Sequence, residues 1–125
     1  MKEISQGLKI TLLVHFVTGL FFGLINLLIP ELWGDLTNWP VQDPNTYRLL
    51  GAAILAFAAS SILAYRETDW ERVIIIVRTE IVWTGLATLV FLVAVIFGGA
   101  PAIAWLYALL MAGFCAAFSV FYRPV

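Results

Sequence analysis

The chain is poor in the residues that most protein chemistry needs. It has one cysteine, Cys115, and one histidine, His15, in 125 residues. A lone cysteine excludes an internal disulfide and a cysteine-based metal cluster, and one histidine, one cysteine and scattered carboxylates are too few for a metal site unless they converge. Charged residues are 12% of the chain and the formal net charge is −1, so neither nucleic acid nor a strongly anionic partner is indicated. No nucleotide-binding, paired-carboxylate or nucleophile–base pattern occurs, which argues against an enzyme. No repeat or low-complexity tract appears either.

What fills the chain is apolar: 62% of residues, with a mean hydropathy of +0.97. A soluble domain of this size hides only about two-thirds of its unfolded surface and has nowhere to put so many apolar side chains. A bilayer does. Crossing a hydrocarbon layer of ~30 Å takes ~20 apolar residues in a helix, and four segments meet that requirement. They are 8–29, 47–65, 72–98 and 102–122, with an outer loop at 30–46 and short turns elsewhere. The first apolar stretch exceeds the ~7–15 residues of a leader's apolar region and no A-x-A site follows, so no cleavable leader is expected.

The punctuation agrees. Pro30 stops the first span. Asp43-Pro44 reads as a cap followed by proline at the first helical position. Thr68-Asp69-Trp70-Glu71 reads as a capping box. Gly99-Ala100-Pro101 ends the third span and opens the fourth. The expected fold is all-α: a single membrane domain over 1–125, a four-transmembrane-helix bundle running antiparallel, up-down-up-down.

Orientation follows from the basic residues. Lys2, Lys9, Arg66, Arg72 and Arg123 all fall on one side of such a bundle. The other side has only Arg48 against Glu31, Asp35 and Asp43. The positive-inside rule then puts both termini in the cytoplasm, and the expected location is a bacterial inner membrane. Aromatic belts agree, with Trp33, Trp39 and Tyr47 outside and Tyr65, Trp70 and Tyr122 inside. In the outer loop, apolar and acidic residues alternate from Glu31 to Asp35, which predicts a short helical turn lying along the surface.

Lipid gives helices no hydrophobic reason to associate, so small and polar residues mark their contact faces. At ~100° per residue, the first span gathers Thr11, His15, Thr18, Gly19, Gly23 and Asn26 in a sector of ~140°. Gly19 and Gly23 also form a G-x-x-x-G. The second span repeats Ala52, Ala56, Ser60 and Ala64; the fourth repeats Ala104, Ala108, Ala112 and Ala116. Both stripes read as helix-packing faces. The third span carries Arg78 and Glu80, ~200° apart on the helix, so only one can face inward. Glu80 shares its side with Thr84, Ala87 and Thr88 and belongs inside. Arg78, ~9 Å from the span's cytoplasmic end, can reach back to the head groups, with a bound anion as a second role.

By depth, His15 lies ~10 Å in and Glu80 ~12 Å in, near the level of Ser60, Ser61, Cys115 and Ser119. The candidate ligand or proton site is therefore His15, Glu80, Thr84, Trp83 and Ser61. An ionised Glu80 alone would cost at least ~2.5 kcal/mol at that depth. Protonation, pairing with His15, or contact with water or a ligand would each relieve it. A polar network that simply holds helix register is an equal reading. Helix neighbours are not legible from sequence, so contact between His15 and Glu80 stays open. His15 beside Gly19 would suit one axial bond to a haem or chlorophyll, and Trp83 a stacked quinone; core filling accounts for both.

Pro30, then Asp43-Pro44 … Arg48-Leu49-Leu50-Gly51-Ala52-Ala53, then Glu80-Ile81-Val82-Trp83, resembles small four-helix bacterial membrane proteins, broadly DoxX-like or of unassigned function. That resemblance covers nearly the whole chain and implies an accessory or quinone-proximal role, without assigning any residue. Two functions are expected. The first is a non-enzymatic accessory subunit, packing against other membrane subunits or copies of itself. The alternative is a binding or conduction module holding a quinone, a small amphiphile or a proton at the His15/Glu80 layer.

Overall fold

The computed structural model describes residues 2–124. Its helices, in chain order, are α1 (Gln6–Leu28), α2 (Pro30–Leu36), α3 (Pro44–Arg66), α4 (Trp70–Phe97) and α5 (Ile103–Val120), with no strand among the described residues. All but α2 are long and apolar enough to cross a membrane.

Local chemistry sets the ends, and several differ from the hydropathy boundaries. α1 starts before its first apolar residue because Ser5 accepts the Leu8 N–H at 3.1 Å. It ends at Leu28, and the chain restarts at once as α2 with Pro30 in the first turn, so the proline makes a corner rather than a loop. α3 begins at Pro44, earlier than the predicted 47, because Asp43 accepts the Asn45 N–H and the Thr46 hydroxyl. The cap of α4 is Asp69, not Thr68. Its carboxylate accepts the Glu71 N–H at 3.1 Å, while the Lys2 carbonyl takes the Trp70 N–H. The N-terminal arm fixes that start, pairing Glu3 with Asp69 and Ile4 with Pro124. At the α4–α5 turn, Gly99 adopts φ +67°, and the Ala100 N–H reaches back to the Ala94 carbonyl.

α1 packs most closely on α3, and α4 on α5; the two pairs meet more thinly along α1–α5 and α3–α4. α1 and α4 thus face each other across the bundle's diagonal. The α1–α3 seam is very close. A methyl group on Gly19 would sit 2.9 Å from the Ala58 Cβ, and one on Gly51 would sit 2.6 Å from the Leu27 nitrogen. Residue numbers rise along α1 as they fall along α3.

The expected alanine stripes are only partly the inward faces. In α3 the buried positions are Gly51, Ala58, Ser61 and Ala64, Ser60 is half-buried, and Ala52 and Ala56 are exposed. In α5, Ala104 and Ala108 are buried, Ala112 is half-buried and Ala116 is exposed. The reason is geometric. A four-residue step turns ~400°, so each repeat drifts ~40° from the last and the stripe winds off the contact face within three steps.

The core is lopsided. Ile4, Leu8, Leu12, Trp70, Val73, Val77, Phe114 and Phe118 join Ala64 in one buried cluster, all in the half of the bundle that holds the termini. The other half, below α2, is not filled in this way.

Candidate functional site: a polar layer and the cavity above it

Three helices place polar side chains at the boundary between the packed and unpacked halves. α1 supplies His15, 4% exposed; α3 supplies Ser60 and Ser61; α4 supplies Glu80 and Thr84, both fully buried. His15 Nδ1 lies 2.8 Å from the Ser61 hydroxyl. His15 Nε2 lies 3.3 Å from Glu80 Oε2, across the diagonal. The Ser60 hydroxyl donates to the Phe57 carbonyl at 2.7 Å and reaches Glu80 Oε1 at 3.3 Å. The pair His15–Glu80 is within ion-pair range, yet no aligned hydrogen bond reaches Oε2, so this buried oxygen is under-partnered.

The other candidate residues take different places. Thr84 is buried in the layer but its hydroxyl donates to the Glu80 backbone carbonyl at 2.6 Å, not to the carboxyl. Thr88 does the same to Thr84. Cys115 and Ser119 do not join the layer: Cys115 Sγ faces the Ile81 carbonyl at 3.7 Å, and Ser119 is exposed. α5 instead presents aromatic rings. Phe114 and Phe118 stand edge-on to the His15 ring, with centroids 4.8 and 5.4 Å away. Trp83 stacks on Phe57 at 5.0 Å with planes 6° apart. Arg48 approaches Glu31 at 3.8 Å and donates to Asn45, tying α3 to α2. Arg78 points away from Glu80, out of the bundle.

This arrangement bears on each ligand chemistry. No group of three or more His, Cys, Asp or Glu side chains converges among the described residues. Both nitrogens of His15 already face protein partners, so axial ligation of a haem or chlorophyll would have to displace Ser61 or Glu80.

Directly above the layer is a cavity of about 620 Å³. His15 is at its floor. Along α1 its wall runs through Thr18, Gly19 and Phe22 to Asn26, ~16 Å of helix axis. Its sides are aromatic: Phe57, Trp83, Phe91, Tyr107 and Phe114. Its roof is α2 and the segment after it, through Trp33, Gly34, Thr37, Trp39 and Val41. The roof is latched. The Trp33 indole N–H donates to the Tyr107 hydroxyl at 2.8 Å, and Trp39 lies near-parallel to the Tyr107 ring at 6.5 Å. No aspartate, glutamate, lysine or arginine lines the space.

Sequence reasoning missed this cavity. A signal was present: Tyr107, Met111 and Phe114, which line the cavity, recur at helical spacing along one face of α5. In lipid, such a stripe is hard to distinguish from ordinary apolar surface. The chain matches no protein-family model, no curated protein and no solved structure.

Proposed function

We propose that this chain is a non-enzymatic binding protein of a bacterial cytoplasmic membrane, holding an uncharged amphiphile between its helix pairs. Its four long helices run antiparallel, up-down-up-down, with both termini in the cytoplasm and α2 on the outer surface. The cavity carries the reading. It is a pocket of about 620 Å³, walled mainly by apolar and aromatic side chains with a few polar groups among them, the usual make-up of a small-molecule site. An apolar wall is a poor host for water, so the space calls for an apolar guest.

Size and lining narrow the guest. The volume suits a drug-sized molecule, and walls without formal charge favour a neutral one. Aromatic sides suit a ring or an unsaturated chain, while Thr18, Asn26 and His15 offer a few polar contacts to a head group. A quinone, which the resemblance to DoxX-like proteins implies, meets this description. Glu80 lies behind His15 and acts through it, holding the imidazole in place.

The test uses the full chain in a mild detergent. Trp33, Trp39 and Trp83 line the cavity, so a neutral naphthoquinone should quench tryptophan fluorescence saturably. A sulfonated analogue should not. Equal, linear quenching by both would refute binding in the cavity. Orientation is tested separately by cysteine labelling on a Cys115→Ala background: Asn38→Cys should react with an impermeant maleimide in intact cells, and Glu67→Cys should not.

A second reading, an accessory subunit or homo-oligomer, is favoured by the outward Ala52 and Ala56. These small residues are exposed on α3. Native mass in mild detergent decides it, and a bare monomer would remove it.

A further inference from the structure

α4 starts at Trp70, so Arg78 lies eight residues, or ~12 Å, inside the span. Its neighbours on the same face are lipid-facing: Ile75 is 72% exposed and Val82 60%. A guanidinium at that depth without a counter-charge is unfavourable and calls for a partner. No carboxylate among the described residues pairs with it. Among the described residues, the close acid–base pairs are His15–Glu80, Arg48–Glu31 and Arg72–Glu67.

The side chain shows where its charge goes. Arg78 Nε donates to the Tyr122 hydroxyl, and the guanidinium lies over the Tyr122 ring, 5.7 Å from its centroid. Tyr122 in turn packs edge-on against Trp70, the first residue of α4, at 5.5 Å. The arginine is thus drawn back along α4 toward the membrane surface and held there by an aromatic pair. One edge of the guanidinium is engaged; the terminal nitrogens, which form the other edge, have no partner among the described residues.

We propose that Arg78 and Tyr122 form a binding site for the phosphate of an anionic phospholipid, in the leaflet on the side of the chain termini. The free edge of the guanidinium presents parallel N–H groups that match two phosphate oxygens. The exposed Ile75 and Val82 lie beside the acyl chains of the same lipid. This site is on the outer surface of the bundle and does not depend on the cavity or its ligand.

The test is native mass spectrometry of the full chain released from mild detergent, titrated with dioleoylphosphatidylglycerol or dioleoylphosphatidylcholine. The anionic lipid should be retained at least about fivefold more tightly, the scale of one charge-assisted contact. Arg78→Gln should abolish that preference, Arg78→Lys should keep part of it, and Tyr122→Phe should weaken it about two- to threefold. Arg72→Gln should leave it unchanged. Should Arg78→Gln fail to fold, the rise in melting temperature of the unaltered chain with phosphatidylglycerol over phosphatidylcholine is the second measure. Equal retention of the two lipids, or full preference in Arg78→Gln, overturns the proposal. Displacement of the lipid by millimolar inorganic phosphate would instead make this a soluble-anion site. Loss of an oligomer in Arg78→Gln, with lipid retention intact, would give the arginine a protein partner.

Discussion

The His15–Glu80 contact crosses the bundle's diagonal, and its strength can be measured with a double-mutant cycle. The perturbations are Glu80→Gln, His15→Gln and the pair, all close in shape to the residues they replace. Glu80 Oε2 lies 3.3 Å from His15 Nε2 but lacks an aligned hydrogen bond. Side-chain hydrogen bonds within membranes couple by ~0.6 kcal/mol on average and ~1.7 at most. Breaking a buried ion pair costs far more, ~3–5 kcal/mol. Given the 3.3 Å separation and imperfect alignment, we expect coupling of ~0.6–1.7 kcal/mol. His15→Gln should be the costlier single change. It removes two edge-on contacts, with Phe114 and Phe118, worth about 1–3 kcal/mol together, and disturbs the hydrogen bond to Ser61. Glu80→Gln, which keeps an acceptor toward Ser60, should cost ~0.5–1.5 kcal/mol. The assay is equilibrium unfolding in mixed micelles of rising dodecyl sulfate content, followed by circular dichroism. Coupling above ~3 kcal/mol would show a buried ion pair and refute the reasoning from geometry. So would a Glu80→Gln that destabilises more than His15→Gln.

Glycine substitutions probe the α1–α3 seam. Gly51→Ala puts a methyl against backbone atoms of α1 and should cost about 1–3 kcal/mol, whereas Gly113→Ala meets nothing within 4 Å and should be neutral or stabilising by up to ~1 kcal/mol. The same micellar unfolding assay orders them, and equal effects would mean the helices are not in close contact. Tyr107→Phe removes the acceptor of the Trp33 indole and should loosen the roof, raising amide exchange across residues 37–43 for a cost of ~0.5–1.5 kcal/mol. Unchanged exchange there would show that the latch does not hold α2. The Thr46 hydroxyl, then the Asn45 N–H, hold the Asp43 carboxyl below its ordinary value. Its folded-state pKa is depressed, so its support for the start of α3 is present above the unfolded value and lost as pH falls through the lower folded one. Amide exchange at Asn45 and Thr46 should therefore rise only at acid pH. Asp43→Asn should remove that dependence, and persistence of it would assign the effect elsewhere.

Much of the architecture is legible because it is local. The cap at Asp43 is legible because its side chain lies within three residues of the groups it satisfies, and Pro30 reads as the stop of the first span. The shift of the α4 cap from Thr68 to Asp69 was not legible, since the Lys2 carbonyl that takes the Trp70 N–H comes from the far end of the chain. The alanine stripes misled for a different reason. Spacing of four describes proximity along a helix, but a straight contact face follows 3.6, and the two diverge within about three turns.

The sequence by itself determined four apolar helices, the cap at Asp43 and the opposite placement of Arg78 and Glu80, because length, periodicity and hydrogen-bonding chemistry act within one segment. Only the tertiary structure decided that His15 meets Glu80 across a diagonal, that Ser61 and not Thr84 is its second polar partner, and that a cavity opens above them. In lipid, every apolar face is equally content outward or inward. Which faces meet, and where they leave space, therefore depends on the close fit of glycines 19, 23 and 51 and on the bulk of the α5 aromatics. Both are properties of pairs of helices rather than of any one of them.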